Sequence, residues 1–559
     1  MWRPDPLVKR LRNWFRGTRT RRALARKYRP RLEGLETRQL LSTFTVVLGT
    51  DSGVSGGQQV TATSGDLRWC INQADHQPAG TADTITFDPT LFATPQTITL
   101  DSAKGALLLS DSNPLTIQGP TGRTATVSGG DAIEVLDITR GTVSISNLAI
   151  SHGNASGNGG GISNSGTLTL TNCTFDHDVA GNAGGGLINL VGSAKLVGCI
   201  LTHDSALDGG GIYSEGSASV PAKLTLTSCN LSNDSATGVG GGALWVSLYS
   251  TATVTGSKFS NDSTDEDGGG VFVYKTSTAT FGNCIFSNDF AGNGGGALCT
   301  DGVCTAKMTA CTISDDTAAQ GGGVCNSGGT VVLSQCTLSN DSCPADGGGG
   351  GFENGAGTGT VTACTFSNDS AAAGGGMFNE GGVATVTNCT FCNNTTHGAG
   401  GGAIYNGPAG NLAFTLTVTN CTIADNSALH GSGGGIFHAA GGTLNLINTI
   451  VAENTATSSP DVANQGTLAA DHDLIGDGTG SGIANGGGNL VGGNGNPVID
   501  PRLGPLQNNG GHTETLALFA DSPAIGQADN AQAPATDQRG HKRVDQVGEV
   551  TDIGAFEYP

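Results

Sequence analysis

One feature constrains this chain more than any other: a unit of 25 to 32 residues that returns eleven times and carries no helical period. Its aromatic or aliphatic marker stands at Ile150, Phe175, Leu201, Leu231, Phe259, Phe286, Ile313, Leu338, Phe366, Phe391, Ile423 and Ile450. Each unit has an alternating run such as "TLTLTNCTF", then "SNDSA", a glycine triplet, and a short apolar piece such as "GGISN". Thr alternating with Leu or Val at period two specifies strands and excludes helical repeats. In "TLTLTNCTF", Leu168 and Leu170 share one parity and Cys173 and Phe175 the other. An unbroken strand would point the two pairs to opposite faces, so a bend is expected near Thr171 and Asn172. Short strands joined by bends and repeated at this spacing coil into a parallel β-helix. The expectation is an all-β, right-handed, pectin-lyase-like solenoid of about twelve coils, on the order of 55 Å long at about 4.8 Å per coil. The 92 glycines belong to this repeat. No glycine run is followed by the Lys-Ser/Thr that a phosphate loop needs.

Charge divides the chain. Met1 to Arg38 holds 13 of the 26 Lys and Arg, and the remainder has 13 basic against 44 acidic residues. So acidic a body makes nucleic acid an unfavourable partner. No stretch of 18 apolar residues predicts a transmembrane helix, and no apolar core of a usual secretory signal follows the basic head. The boundaries read as a basic export or sorting segment (1–42), an N-terminal cap with its lead-in strands (43–140), β-helix repeats (141–455) and a C-terminal region (456–559).

Two residue columns are candidate sites. Three residues after the marker stand Asp178, Asp204, Asp234, Asp262, Asp289, Asp316, Asp341 and Asp369, followed by Asn394, Asn426 and Glu453. Adjacent carboxylates roughly 5 Å apart repel by roughly 0.8 kcal/mol even in water. Two offsets are open: each Asp caps a turn with its side chain fanning outward, or calcium bridges neighbouring coils through oxygen ligands. Calcium is the one cofactor the residues suggest. His152, His177 and His203 fall two residues after their markers and form a short stack, with Asp178 and Asp204 beside them as potential metal ligands. The plain alternative is that they replace the Asn or Asp of later coils.

Nine of fifteen cysteines (Cys173, Cys199, Cys229, Cys284, Cys311, Cys336, Cys364, Cys389 and Cys421) share one repeat position. Parallel Cβ vectors roughly 4.8 Å apart disfavour disulfides, so stacked buried thiols are expected. Alternation sends Cys389 and Cys392 to opposite faces, and Cys299 with Cys304 is the one pair placed to close a loop. Asn164, Asn189, Asn326, Asn354, Asn379 and Asn406, at bends, can form side-chain ladders between coils.

Several segments resemble known families. "TSGDLRWCINQADHQPAGTADTITFD" resembles the Cys-Ser-Leu-Arg-Glu-Ala type segment that precedes bacterial β-helix repeats. "RLEGLETRQLLS" is similar to a Leu-Glu-x-Arg-x-Leu-Leu motif of exported bacterial proteins. The region Leu503 to Glu557, with its Asp-Gln-Arg-Gly and Asp-Ile-Gly-Ala-Phe-Glu strings, resembles the choice-of-anchor type Q module. It has Ala524-Ile525-Gly526 where relatives often carry Ala-Ile-Asp. With only Tyr558 and Pro559 following, covalent anchoring is not expected. The coils are similar to the repeats of polymorphic outer-membrane proteins. These resemblances imply an exported, extracellular or outer-membrane, adhesin-like protein. Its partner would be an unidentified surface ligand, a polysaccharide or cell-envelope component.

The fold also hosts pectate lyases and polygalacturonases, so a polysaccharide lyase or glycoside hydrolase with an atypical site is the alternative. Against it, Gly141 to Asp500 has no arginine and five lysines. Asn-Thr-Asp, Gly-His-Gly and Arg-Ile-Lys strings are absent. No catalytic residue is assigned, and the reading favours a non-catalytic role.

Overall fold

In the computed structural model, the residues described are 41–53, 63–344, 347–408, 413–543 and 549–559. The basic head and most of the export-like motif lie outside them. The chain winds as a parallel β-solenoid whose three long sheets run the length of the stack, with 17, 16 and 14 strands. We call them the first, second and third sheets. Strands of one coil pair in parallel with those of the next, as Ile150 with Phe175 and Phe175 with Leu201. Shorter strand runs, of seven and four, lie between the second and third sheets.

Fourteen turns are counted on the third sheet, two more than the marker predicts. The additional coils (strands Ala82–Phe87, Gln96–Thr99 and Leu107–Leu109, then Leu115–Gln118, Ala125–Ser128 and Leu136–Ile138) precede Ile150 and lack the Cys-Thr-Phe lettering. They occupy the stretch read as cap and lead-in strands.

The expected bend is present. Asn172, between strands Thr167–Thr171 and Thr174–Asp176, has φ 52°. Leu168, Leu170, Cys173 and Phe175 are thereby all buried. A second left-handed corner falls at His177, and a third within the glycine triplet, as at Gly184 with φ 68° and Gly241 with φ 68°. Between corners, period-two alternation puts one apolar set into a narrow interior. There like side chains stack coil on coil: Phe366 and Phe391 lie with ring centroids 4.5 Å apart. Burial of such a side chain contributes roughly 1.5–3 kcal/mol, but only once neighbouring coils cover it.

The first end is closed by an α-helix, Leu67–Asp75, in the segment expected to hold a cap and lead-in strands. The side chain of Asp66 accepts the N–H of Trp69 at 2.8 Å as N-cap. Leu67, Cys70, Ile71 and Ala74 form the buried face, a spacing of three and four residues that marks a helix. At the other end the C-terminal region folds back over the outside of the second sheet. Leu516 packs on Cys392 and Ala424, while Ile553 and Phe556 join Ile450, Ala452 and Leu474.

Candidate functional site

The second corner turns the residue after it inward, so the eight Asp side chains do not fan outward; each is 0–1% exposed. The reason is a backbone need. The N–H of the residue after the corner points into the rod and lacks a ladder partner, and an orphaned buried N–H is costly. The side chain of the next coil supplies the acceptor. Asp178 N–H donates to Asp204 Oδ1 at 2.8 Å, Asp204 to Asp234, Asp234 to Asp262, and the chain continues to Asp369. It then passes through Asn394, Asn426 and Asn454. Asn454 stands where Glu453 was expected, because Ile423 pairs with Val451 rather than with Ile450.

The second oxygen decides the charge state. In the amide members of the column, Asn426 Nδ2 donates to the carbonyls of Ala424 and Phe391 at 2.9 and 3.0 Å. In all the Asp members except Asp262, Oδ2 is buried without a hydrogen-bond partner. Asp262 Oδ2 accepts the N–H of Ser260 at 3.0 Å. Burial first, and for most of the column neighbouring carboxyls next, raises the acids well above the usual range, Asp262 to about 8. A protonated Asp is an isostere of Asn, and the column passes from eight Asp to three Asn without a break in its bonding.

This geometry does not fit calcium, which takes six to eight oxygens at about 2.3–2.6 Å. Oδ1 is occupied by an N–H, and Oδ2 faces glycine. A Cβ placed on Gly186, the third glycine of its triplet, would lie 2.6 Å from Asp204 Oδ2. On Gly185 it would lie 2.6 Å from the backbone N of Ser205. The triplet and the inward acid are two sides of one close contact.

The cysteine column meets the same need at the first corner. Cys336 N–H lies 3.3 Å from Cys364 Sγ, and Cys364 N–H lies 3.4 Å from Cys389 Sγ. Where cysteine is replaced, Ser257 and Thr449 hydroxyls accept instead. All fifteen cysteines are buried free thiols. The loop-closing pair is not formed. Cys299 lies outside the third sheet with Trp245, Phe272 and Cys325, whereas Cys304 turns into the core and its Sγ contacts the carbonyl of Val273 at 3.4 Å. Cys389 faces the interior, and Cys392 faces outward beneath the C-terminal region. The asparagine ladder forms at the end of the third sheet: Asn354 Nδ2 reaches Asn379 Oδ1, and Asn379 reaches Asn406, each at 2.8 Å.

The three histidines occupy the second corner itself, with φ of 48°, 58° and 58° at His152, His177 and His203. Later coils fill that corner with Asn233, Asn261, Asn288, Asp315, Asn340, Asn368, Asn393 and Asp425. The rings stack on the outside at 5.5 and 4.8 Å. Asp178 and Asp204, expected beside them, face the opposite way. Asp176, one residue before the corner and outward, takes their place 2.7 Å from His177 Nδ1.

The outer face of the first sheet carries the other regular surface. Its outward positions include Thr251, Thr253, Thr255, then Thr278, Thr280, and later Thr358, Thr360, Thr362 and Thr415, Thr417, Thr419, all exposed or half-exposed, with Lys195, Lys223, Lys307, Val332 and Val383 at the same register in other coils. Among the described residues, the C-terminal region leaves this face open and grips the second sheet. Gln538 Nε2 donates to Thr365 Oγ1, Arg543 Nη2 to Asn388 Oδ1, and Ala555 N–H to Thr422 Oγ1. Gln538 lies in the Asp-Gln-Arg-Gly string and Ala555 in the Asp-Ile-Gly-Ala-Phe-Glu string, so both are docking elements.

Stacked parallel coils with an apolar interior and corner-bound columns define a β-solenoid. The sequence profile "Right handed beta helix region" matches residues 96–259, 243–343 and 297–496, and the chain belongs to that family. No curated protein matches the chain. Among solved structures, a mannuronic-acid-specific polysaccharide family 6 lyase from human gut microbiota is similar at 10% identity. The match covers 78% of this chain and 86% of that one, with a TM-score of 0.33.

Proposed function

We propose that the protein is an exported, cell-surface or secreted attachment rod that binds a polymer along the outer face of its first sheet. The carrying observation is the recurrence of threonine hydroxyls on that face, in runs interrupted by Lys195, Lys223, Lys307, Val332 and Val383. Each such run offers one donor and two acceptors per side chain at a fixed spacing. Repetition of one weak contact suits a repetitive ligand, because linked contacts multiply into avidity. A polysaccharide, or a cell-envelope component built from one, has this hydroxyl-rich, periodic character. The resemblances of Arg31–Ser42 to an export motif, of Thr63–Asp88 to a β-helix leader and of Leu503–Glu557 to a choice-of-anchor module support the surface location. In this reading the C-terminal region localises the rod as well as closing it.

The test is incubation of the full chain with insoluble acidic and neutral polysaccharides, scoring both retention and new reducing or unsaturated ends. Retention without new ends, abolished by Thr253→Glu with Thr280→Glu, is the expected result. New ends would establish the lyase or hydrolase alternative. Retention that ignores the two substitutions would remove the threonine face as the binding surface. Cell fractionation checks the location.

A further inference from the structure

We propose that Asp176, His177 and His203 form a surface site for a divalent transition metal of the zinc class. Three of the ten histidines in 559 residues meet in one patch of adjacent coils. The backbone does not demand imidazole there. The corner is left-handed, and eight later coils satisfy it with Asn or Asp, the residues that tolerate positive φ best. Histidine is also tolerated at positive φ, so the corner permits it without demanding it, and it stands in successive coils rather than scattered.

The donors converge. One nitrogen from each of His177 and His203 and a carboxylate oxygen of Asp176 all lie within 4.8 Å of one another. Asp176 Oδ1 is 2.7 Å from His177 Nδ1 and 3.7 Å from His203 Nδ1. Tetrahedral zinc, with ligands at about 2.0–2.2 Å, sets its donors roughly 3.4 Å apart, between these two separations. The side chains are 41–53% exposed, which lets them adjust by tenths of an ångström and leaves a fourth position to water. Imidazole with carboxylate is a donor set for zinc, copper and nickel rather than for calcium or magnesium. The rings are held 4.8 Å apart and within 14° of parallel by the coil repeat. His152, further along the stack and 3.3 Å from Asp131, flanks the site. Thr202 Oγ1 lies 3.1 Å from His203 Nδ1 and is the other polar group at the nitrogen.

The later coils supply a clean control. His177→Asn and His203→Asn install the residue that this corner carries elsewhere, so the variants are expected to melt no lower than the parent. The full chain, stripped with chelator, is titrated with zinc by calorimetry and with cobalt by visible absorption. The expected result is one ion per chain with a tetrahedral cobalt spectrum. Either variant, and Asp176→Asn, should lose that spectrum and weaken zinc by roughly 10- to 100-fold or more, the range that even outer-shell partners of a metal ligand command. Absence of zinc binding by the parent, or unchanged binding in the three variants, would overturn the assignment and leave a hydrogen-bonded surface cluster.

Discussion

The backbone N–H of Asp178 donates to Oδ1 of Asp204, one coil further along, at 2.8 Å, while Oδ2 of Asp204 has no hydrogen-bond partner. One oxygen is required by the fold as an acceptor, and the other is required to be uncharged. Folding therefore takes up protons. Each acid's folded pKa is raised above its unfolded value near 3.8, to about 8 at Asp262. The unfolded chain releases its protons first as pH rises. The stability contributed by the column is thus fully present below about pH 4 and is lost as pH rises above it, for Asp262 through about 8. Denaturant midpoints should fall between pH 5 and 8. Asp204→Asn, which keeps the Oδ1 acceptor and removes the titration, should raise stability at pH 8 and flatten the profile. A midpoint independent of pH over this range would refute the neutral column.

Calcium gives a separate readout on the same residues. With Oδ1 held by a backbone N–H and Oδ2 against glycine, chelator and millimolar calcium should leave the thermal midpoint unchanged, and elemental analysis should find no calcium. A calcium-dependent rise would show that the acids reorganise around an ion.

Glycines 185 and 186 should respond differently to the same methyl group. At Gly185 the new Cβ meets backbone on the neighbouring coil, which cannot yield, and overpacking of this kind costs about 1–3 kcal/mol or more. At Gly186 it meets Asp204 Oδ2 at 2.6 Å and the backbone O of Gly211 only at 2.9 Å, and Ala243, Ala297 and Ala403 already occupy the equivalent position in other coils. Gly186→Ala should cost less than about 1 kcal/mol. Equal effects in urea unfolding would count against the close-contact account.

The thiols should be silent in the folded protein and uniformly reactive once it is opened. All fifteen are buried, and burial raises Cys70 to about 12. Alkylation under native conditions should label few or none. Non-reducing denaturation should label all of them, and mass mapping of coil-to-coil disulfides would contradict the stacked-thiol column.

Removal of Leu503–Pro559 should expose Cys392, Ala424, Ile450 and Ala452 on the second sheet along with the last strand edge. Such a surface invites association. Light scattering should show aggregation of the truncated chain, and a soluble monomer with unchanged strand content would deny the region its capping role.

The repeat lettering alone determined the solenoid, the bend at Asn172, the stacking of thiols and the asparagine ladder. Each follows from local alternation and turn chemistry, which are properties of neighbouring residues. The helix Leu67–Asp75 was legible too, in the 67, 70, 71, 74 spacing, but its length of under three turns was hidden beside a dominant strand pattern. What the column residues face was decided only by the tertiary structure. A left-handed corner turns one residue out and the next in, so His177 meets solvent and Asp176 while Asp178 meets the N–H of another coil. Whether Asp is charged likewise depends on what lies a coil away, because burial and the glycine opposite are supplied by residues about 25 positions distant. The docking of Gln538 and Arg543 on the second sheet belongs to the same class: it joins segments some 150 residues apart, and no periodicity within either segment encodes the other's surface.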